Sequence, residues 1–204
     1  MATEKSASEK TAAHPSDKAE AMKRRLCAAV VECIDQSGYA DTSIMAVQER
    51  AGVSRGALTH HFPSKQALMA ETALRLLANA STMKGKADET FDLLMHSWTR
   101  IANTAEGRAF VEILVACRTD APLRAALADD LSKWDEDRAN AANALYRGSA
   151  PEPDDAALLW SICRAFIRGM IAHERFTSDP AYLERMMRRF AGIMSAHLTP
   201  KDPR

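Results

Sequence analysis

Residues 42–68 read TSIMAVQERAGVSRGALTHHFPSKQAL, and their pattern is the most informative in the chain. Apolar residues recur in its first half at the spacing of one helical face: Ile44, Val47 and Ala51. Gly52 follows at a point where a tight turn needs positive φ, which glycine adopts without a Cβ clash. Ser54 then offers an oxygen that can cap the next helix. The stretch therefore predicts two short helices joined by a three-residue turn.

The second helical pattern, residues 55–62, has one apolar and one polar face. Leu58 and Phe62 turn inward, which leaves three hydrogen-bonding side chains outside: Arg55, Thr59 and His60. Donors on a helix short enough to enter a major groove are typical of DNA recognition. The alternative is an ordinary helical hairpin with a solvated polar face. Turn, cap, apolar positions and outward donors agree with one another and favour recognition.

The run AGVSRGALTHHFPSKQAL, residues 51–68, resembles the recognition-helix region of the TetR family of bacterial transcription regulators. The resemblance covers about residues 20–70. It implies an all-α fold, with an N-terminal three-helix helix-turn-helix domain on a helical body that dimerises and binds an effector. Two positions depart from the family pattern. Thr59 stands where tyrosine usually reaches a phosphate, and Gln48 stands where a small residue usually allows close helix approach.

On this interpretation, Arg55 and His60 read base edges. Other residues set the position of the protein on phosphates: Thr42, Ser43, Ser54, Thr59 and Lys65. Gly56 and His61 complete the predicted DNA-binding set, with His61 partly structural. Lys65 begins a helix after the Pro63-Ser64 stop-and-cap pair, where free amides and an added positive charge attract phosphate. A plain surface lysine is the alternative there.

Composition and charge are those of a globular protein. The chain has 204 residues, 47% of them hydrophobic and 26% charged, with a net charge of zero. Between residues 18 and 70, seven Lys and Arg face five Asp and Glu, so the charge is locally basic. No stretch reaches the ~20 apolar residues that span a bilayer, and the N-terminus lacks the apolar core of a secretory signal. We expect a cytoplasmic protein that does not enter membranes.

The chain divides into four segments. Residues 1–17 are polar and aperiodic, which predicts a disordered arm, with a basic arm in the minor groove as the alternative. Residues 18–70, called the head below, form the helix-turn-helix domain, and Gly38 ends its first helix. Residues 71–199, the body, bind the effector and dimerise, and residues 200–204 are a tail. The helix from Lys65 runs towards Met83, and sliding it would change the spacing of two heads.

Five further helices are expected in the body, at residues 88–103, 106–119, from 122 onward, 154–176 and 180–198. The last two are apolar around much of their circumference, so each must bury more than one side. This predicts a four-helix dimer interface, two helices from each subunit, including Phe166, Gly169, Met170, Met186, Met187 and Phe190. The alternative is that both helices are central in a monomer.

Large side chains from several body helices could line one apolar effector cavity: Trp98, Phe110, Cys117, Trp134 and Trp160. Each is also good core material. Candidate polar anchors are His96, Arg118, His173 and Glu174. The resemblance, rather than the residues themselves, implies that a small and largely apolar ligand binds there.

The sequence contains none of the common catalytic or metal motifs. There is no Walker loop, GxSxG, HExxH or EF-hand pattern, and the four cysteines form no CxxC pair. We expect buried thiols, with redox sensing as the alternative, and no cofactor or metal. The prediction is a homodimeric, ligand-responsive regulator, in the expected case a repressor, on a double-stranded pseudo-palindromic operator. The alternatives are a helical interaction module without DNA binding and an all-helical enzyme.

Overall fold

A computed structural model of the chain describes residues 15–80, 89–174 and 176–201. Within those residues nine α-helices follow one another: α1 Pro15–Asp41, α2 Ile44–Ala51, α3 Arg55–His61, α4 Lys65–Asn79, α5 Thr90–Ser97, α6 Ala105–Ala116, α7 Ala121–Leu145, α8 Asp155–Glu174 and α9 Pro180–Ser195. A π-helical turn, Trp98–Ala102, joins α5 to α6. Two short strands, β1 Tyr146–Gly148 and β2 Leu198–Pro200, are the only non-helical elements described. The predicted all-α fold is confirmed.

Serine caps define the helices of the head. The Oγ atoms of Ser43, Ser54 and Ser64 accept hydrogen bonds from backbone N–H groups in the first turns of α2, α3 and α4. Such a cap satisfies a donor that the helix leaves open and contributes about 1 kcal/mol. At the other end of the first helical segment, Gly38 has φ 80° and ψ 166°, which breaks α1 as predicted.

A first apolar core runs through the head and into the body. Leu26, Leu58 and Leu68 are fully buried in it together with Ile113 of α6 and Leu127 of α7. The predicted division between residues 70 and 71 is therefore not a gap in packing. Helices α6 and α7 support the head directly, and α4 belongs to both halves.

A second core lies in the rest of the body, and the two strands close one end of it. Tyr146 and Leu198 are almost completely buried there. The strands pair antiparallel, with Gly148 opposite Leu198. Lys201 donates its backbone N–H to the carbonyl of Leu145 at 2.8 Å. The prediction that the last helix runs to residue 198 is wrong, because the chain leaves α9 at Ser195 to form β2.

Several predicted boundaries move or fall outside the described residues. Helix α1 begins at Pro15 rather than at the expected residue 17 or 18, and residues 1–14 of the predicted arm are not among those described. Helix α4 ends at Asn79, and its expected course towards Met83 lies in the undescribed segment 81–88. Among the described helices, none combines the length and apolarity that crossing a bilayer requires.

Candidate nucleic-acid interface and ligand cavity

A serine cap at its first turn and apolar contacts along one face fix helix α3. The Oγ of Ser54 accepts a hydrogen bond from the backbone N–H of Ala57 at 3.2 Å. Gly52, at the end of α2, adopts the left-handed conformation that the sequence predicts, with φ 59° and ψ 42°. Leu58 and Phe62 are 0% and 4% exposed and hold the inner face in the first core. The opposite face of α3 is left in solvent.

Six of the nine residues predicted to contact DNA are exposed: Ser43, Ser54, Arg55, Gly56, Thr59 and His60. The two serines use their oxygens as cap acceptors for backbone N–H groups at 3.1 and 3.2 Å. A hydroxyl that accepts one hydrogen bond still has a hydrogen to donate. Each serine can therefore cap its helix and bind a phosphate oxygen at the same time.

Thr59 and His61 are more constrained than their neighbours. The hydroxyl of Thr59 donates to the backbone carbonyl of Arg55 at 3.0 Å, so its hydrogen is already used within α3. His61 is half-buried, and its ring packs edge-on against that of His60 with 5.2 Å between centroids. His61 is thus less open to a DNA contact than His60, and its partly structural role stays a prediction.

The structure contradicts the role predicted for Thr42. Its side chain is 1% exposed, and its hydroxyl donates to the carbonyl of Gly38 at 2.7 Å. A buried hydroxyl with its hydrogen occupied cannot reach a phosphate. Thr42 instead closes the turn between α1 and α2, and it leaves the DNA-binding set.

Lys65 also lies elsewhere than predicted. Its side chain is half-buried, its Nζ donates to the backbone carbonyl of Tyr39 at 3.1 Å, and it lies 4.6 Å from the centre of the Tyr39 ring. Burial lowers the pKa of Lys65, against the opposing effect of Asp120 and Asp41. The ammonium group is held beneath the head rather than extended towards DNA.

Lys65 is part of a polar group that joins head to body. We call Tyr39, Lys65, Gln66, Glu112 and Asp120 the junction cluster. Oε2 of Glu112 accepts the backbone N–H of Tyr39 at 2.6 Å. Oδ2 of Asp120 accepts both the Tyr39 hydroxyl at 3.2 Å and the Gln66 amide at 3.1 Å. The cluster therefore connects α1 and α4 to α6 and to the start of α7.

Ionisation equilibria in the junction cluster follow from these bonds. The backbone N–H of Leu123, then Gln66 and Tyr39, hold the pKa of Asp120 below its ordinary value, against a smaller opposing effect of burial. Burial, followed by the nearby Asp120 carboxylate, raises the pKa of Tyr39 to about 12. At neutral pH the cluster thus contains a carboxylate that accepts and a neutral phenol that donates.

A cavity of about 150 Å³ lies in the body between α4, α5, the π-helical turn, α6, α7 and α8. Three of the five residues predicted to line it do so: Phe110, Trp134 and Trp160. The predictions for Trp98 and Cys117 are wrong. Trp98 is 3% exposed in the second core, and Cys117 packs against the first core. Cys163 is the cysteine in the cavity wall.

The polar wall of the cavity was missed from the sequence. None of the proposed anchors His96, Arg118, His173 and Glu174 lines it, whereas Arg138, Arg164 and Arg168 do. The guanidinium carbons of Arg138 and Arg164 lie 5.7 and 5.5 Å from the ring centre of Trp134. A signal was available, since Trp134 and Arg138, and likewise Arg164 and Arg168, are spaced four apart and share helix faces.

The four cysteines carry free thiols, and the described residues contain no cluster of His, Cys, Asp and Glu able to hold a metal ion. Cys27, Cys33 and Cys163 are buried, as expected, while Cys117 is partly exposed. Burial raises the pKa of Cys163 to about 12. It raises the pKa of the other three thiols as well.

Part of the predicted dimer interface faces inward instead. Met170 and Met187 are 3% and 0% exposed in the second core, so they cannot contact a partner. Phe166 and Phe190 are half-buried and stack on each other within the chain, with 3.8 Å between ring centres, and Met186 is also half-buried. Gly169 is exposed. The large apolar side chains that α8 and α9 leave in solvent are Leu158, Ile162, Tyr182 and Ile193.

Sequence comparison places this chain among bacterial regulators. Residues 26–72 match the family model described as bacterial regulatory proteins, tetR family. The HTH-type transcriptional regulator BetI of Ectopseudomonas mendocina is 38% identical over 68 residues. That match covers 33% of this chain and 35% of BetI. An uncharacterized HTH-type transcriptional regulator of Mycobacterium tuberculosis is 32% identical over 160 residues, covering 72% of this chain and 82% of that protein.

The solved structures agree with this assignment. A transcriptional regulator of Saccharomonospora viridis, determined in complex with choline, has a TM-score of 0.60 to this chain at 18% identity, covering 89% of this chain and 99% of its own. At that identity the likeness shows the fold. The longer sequence match and the family model together establish that the chain belongs to the tetR family of bacterial regulatory proteins. It is a transcription regulator and not an enzyme.

Proposed function

We propose that this regulator binds a pseudo-palindromic operator as a homodimer through α3, and that a small ligand in the body cavity changes its affinity for DNA. The observation that carries the proposal is the geometry of α3. A helix of seven residues is capped by Ser54 and anchored by Leu58 and Phe62, and it presents Arg55 and His60 to solvent. In the simplest mechanism the protein represses by occupying the operator.

The proposed contacts divide by chemistry. Arg55 has a bidentate guanidinium that can pair with guanine, and one such pair discriminates against a wrong base by about 1–3 kcal/mol. His60 is the second base reader. Ser43 and Ser54 donate to phosphates, and an added Cβ at Gly56 would meet nothing within 4 Å, so DNA has room to approach. Thr59 would first have to release its bond to the helix backbone.

The exposed faces of α8 and α9 support the homodimer. Leu158 and Ile162 are 57% and 46% exposed, and Tyr182 and Ile193 of α9 are 45% and 46% exposed. Large apolar side chains clustered on neighbouring helices mark interaction sites. We propose that a two-fold axis runs through these helices and buries them, and that the two α3 helices read half-sites about 34–36 Å apart or a multiple of that distance.

Helix α4 is the element we propose to couple ligand to DNA. Leu77 and Ala80 at its C-terminal end line the cavity, while Lys65 and Gln66 at its start belong to the junction cluster. A ligand that displaced the C-terminal end would move the head through those bonds. Coupling of this kind requires two arrangements of α4 that the ligand and DNA favour unequally.

Selection of bound sequences from random duplex DNA tests the proposal directly. We expect purified protein to enrich an inverted repeat whose half-site spacing fits one dimer. Binding without enrichment, lost progressively as salt is added, would show phosphate attraction alone and would contradict the proposal. The structurally similar regulator in complex with choline supports a ligand site in this fold.

A further inference from the structure

The polar side chains of the cavity are nearly all hydrogen-bond donors. Trp134, Trp160 and three arginines contribute indole and guanidinium N–H groups, which cannot accept hydrogen bonds. Ser97 adds one hydroxyl, and among the described residues that line the cavity there is no aspartate or glutamate. The rest of the wall is apolar. Such a wall is complementary to a ligand with acceptors and an apolar body.

Two of these donors are buried without an acceptor from the protein. Nε1 of Trp134 and Nε1 of Trp160 are both inaccessible and make no hydrogen bond. The residue Trp160 is 5% exposed, and water reaches its N–H neither from bulk solvent nor from the cavity. Buried polar groups almost always find a partner, because an unmet donor loses its hydration without compensation. Because neither atom is accessible from the cavity, a ligand acceptor reaches them only if the side chains of the wall move on binding.

The charge of the wall is positive, because three arginines and no carboxylate are among the described residues that line it. Arg164 pairs with Asp135 at 3.0 Å, but the Asp135 side chain is 65% exposed and lies outside the cavity lining. Arg168 also lines the cavity, and burial, then the neighbouring Arg164, lowers its pKa, against an opposing effect of Asp135. Guanidinium groups do not lose their protons at physiological pH. The cavity therefore contains cations whose desolvation an anionic ligand would offset.

We infer that the effector is a small organic anion, a carboxylate on an apolar body of about one aromatic ring. The carboxylate accepts from the arginines, and the ring packs against Phe110 and the apolar wall. A cavity of about 150 Å³ holds one benzene molecule, which sets the size. This inference rests on the proposed function, since it takes the cavity as the effector site. It does not depend on which operator is recognised.

Binding to the full chain without DNA tests the inference, with tryptophan fluorescence and calorimetry as readouts. Three probes of matched shape differ in charge: phenylacetate, phenylacetamide and phenethylamine. We expect phenylacetate to bind at least roughly tenfold more tightly than the amide, and the amine to bind most weakly. Equal affinity for acid and amide, preference for the amine, or no binding of any probe would overturn the inference.

Variants locate the effect in the wall. Arg168→Gln should weaken phenylacetate at least roughly tenfold and leave phenylacetamide unchanged, and Arg138→Gln serves if the first variant does not fold. Arg147 is an exposed arginine of β1, so Arg147→Gln is the matched control and should change the affinity for neither probe. If Arg168→Gln weakened the binding of phenylacetate and phenylacetamide equally, the cavity would be deformed and the charge argument contradicted. If the acid binds but leaves operator affinity unchanged, the ligand class stands and the proposed coupling fails.

Discussion

The hydroxyl of Tyr39 lies 3.2 Å from Oδ2 of Asp120, and this bond joins the end of the first head helix to the cap of α7. Asp120 also accepts the backbone N–H of Leu123 at 3.0 Å, so one carboxylate starts α7 and holds the head. We therefore expect a shift of Asp120 at the start of α7 to move Tyr39 and the head with it.

Tyr39→Phe removes only the hydroxyl of this pair. We expect a loss of about 0.5–1.5 kcal/mol in the free energy of unfolding, the usual net contribution of one hydrogen bond. Urea denaturation measures it, and Asp120→Asn provides the second arm of a double-mutant cycle. If Phe at position 39 costs the same in both backgrounds, the two side chains are not coupled. We also expect the ligand response of the Phe variant to be reduced.

Gly38 is the head position where a side chain should be least tolerated. Its φ of 80° and ψ of 166° lie in a region that is essentially glycine-only, and an added Cβ would lie 3.3 Å from Oε2 of Glu112. Gly38→Ala should therefore cost about 1–3 kcal/mol in unfolding free energy. Gly56→Ala is the matched control, because that site is helical and open, and it should stabilise by about 0.5–1 kcal/mol. Similar effects of the two substitutions would contradict the backbone argument.

Local chemistry explains which features could be predicted from the sequence. The turn at Gly52, the cap at Ser54 and the inward positions of Leu58 and Phe62 depend on neighbours within a few residues, and all are confirmed. The prediction that Thr42 contacts DNA was wrong, because the burial of this side chain depends on the fold around it. The spacing of the motif cannot show that its hydroxyl turns back to the α1 terminus.

Features that depend on distant packing were mostly missed. β1 pairs with a strand about fifty residues later, and neither three-residue segment has a pattern long enough to predict it. Helices α8 and α9 are apolar on more than one side, so the sequence could not tell that Met170 and Met187 face inward while Ile162 faces outward. The arginine wall of the cavity likewise exists only after α7 and α8 pack together.

The thiols should differ in reactivity according to burial. Cys117 is partly exposed, whereas Cys27, Cys33 and Cys163 are buried. Because the thiolate is the reactive form, the pKa of about 12 for Cys163 further slows its reaction near neutral pH. With an aromatic disulfide reagent we expect one faster phase, absent in Cys117→Ser, and reaction of all four thiols in denaturant. A fast phase that survives Cys117→Ser would contradict this assignment.

Arg55→Ala should relax the sequence preference of the protein. Loss of one bidentate pair to guanine removes about 1–3 kcal/mol of discrimination at one base position in each half-site. Arg50→Ala loses the same charge, but Arg50 pairs with Glu32 at 3.2 Å, so that variant should bind all sequences slightly less well without changing their order. Competition binding with single-base operator variants separates the two effects. If both variants keep the wild-type order, Arg55 does not read a base.

Gly169→Arg should prevent dimerisation without preventing the chain from folding. Gly169 is exposed on the outer face of α8, and a Cβ there would meet nothing within 4 Å in the single chain, so the larger side chain has room in a monomer. In the proposed four-helix interface the same side chain would enter a close helix crossing, and we expect the dimer dissociation constant to rise at least roughly tenfold. Sedimentation or light scattering measures the mass, and circular dichroism checks folding. Val115→Arg, at a position 59% exposed on α6, is the control and should remain a dimer. A dimer unaffected by Gly169→Arg and also by Ile162→Asp would move the interface away from α8, and with it the proposed spacing of the two recognition helices.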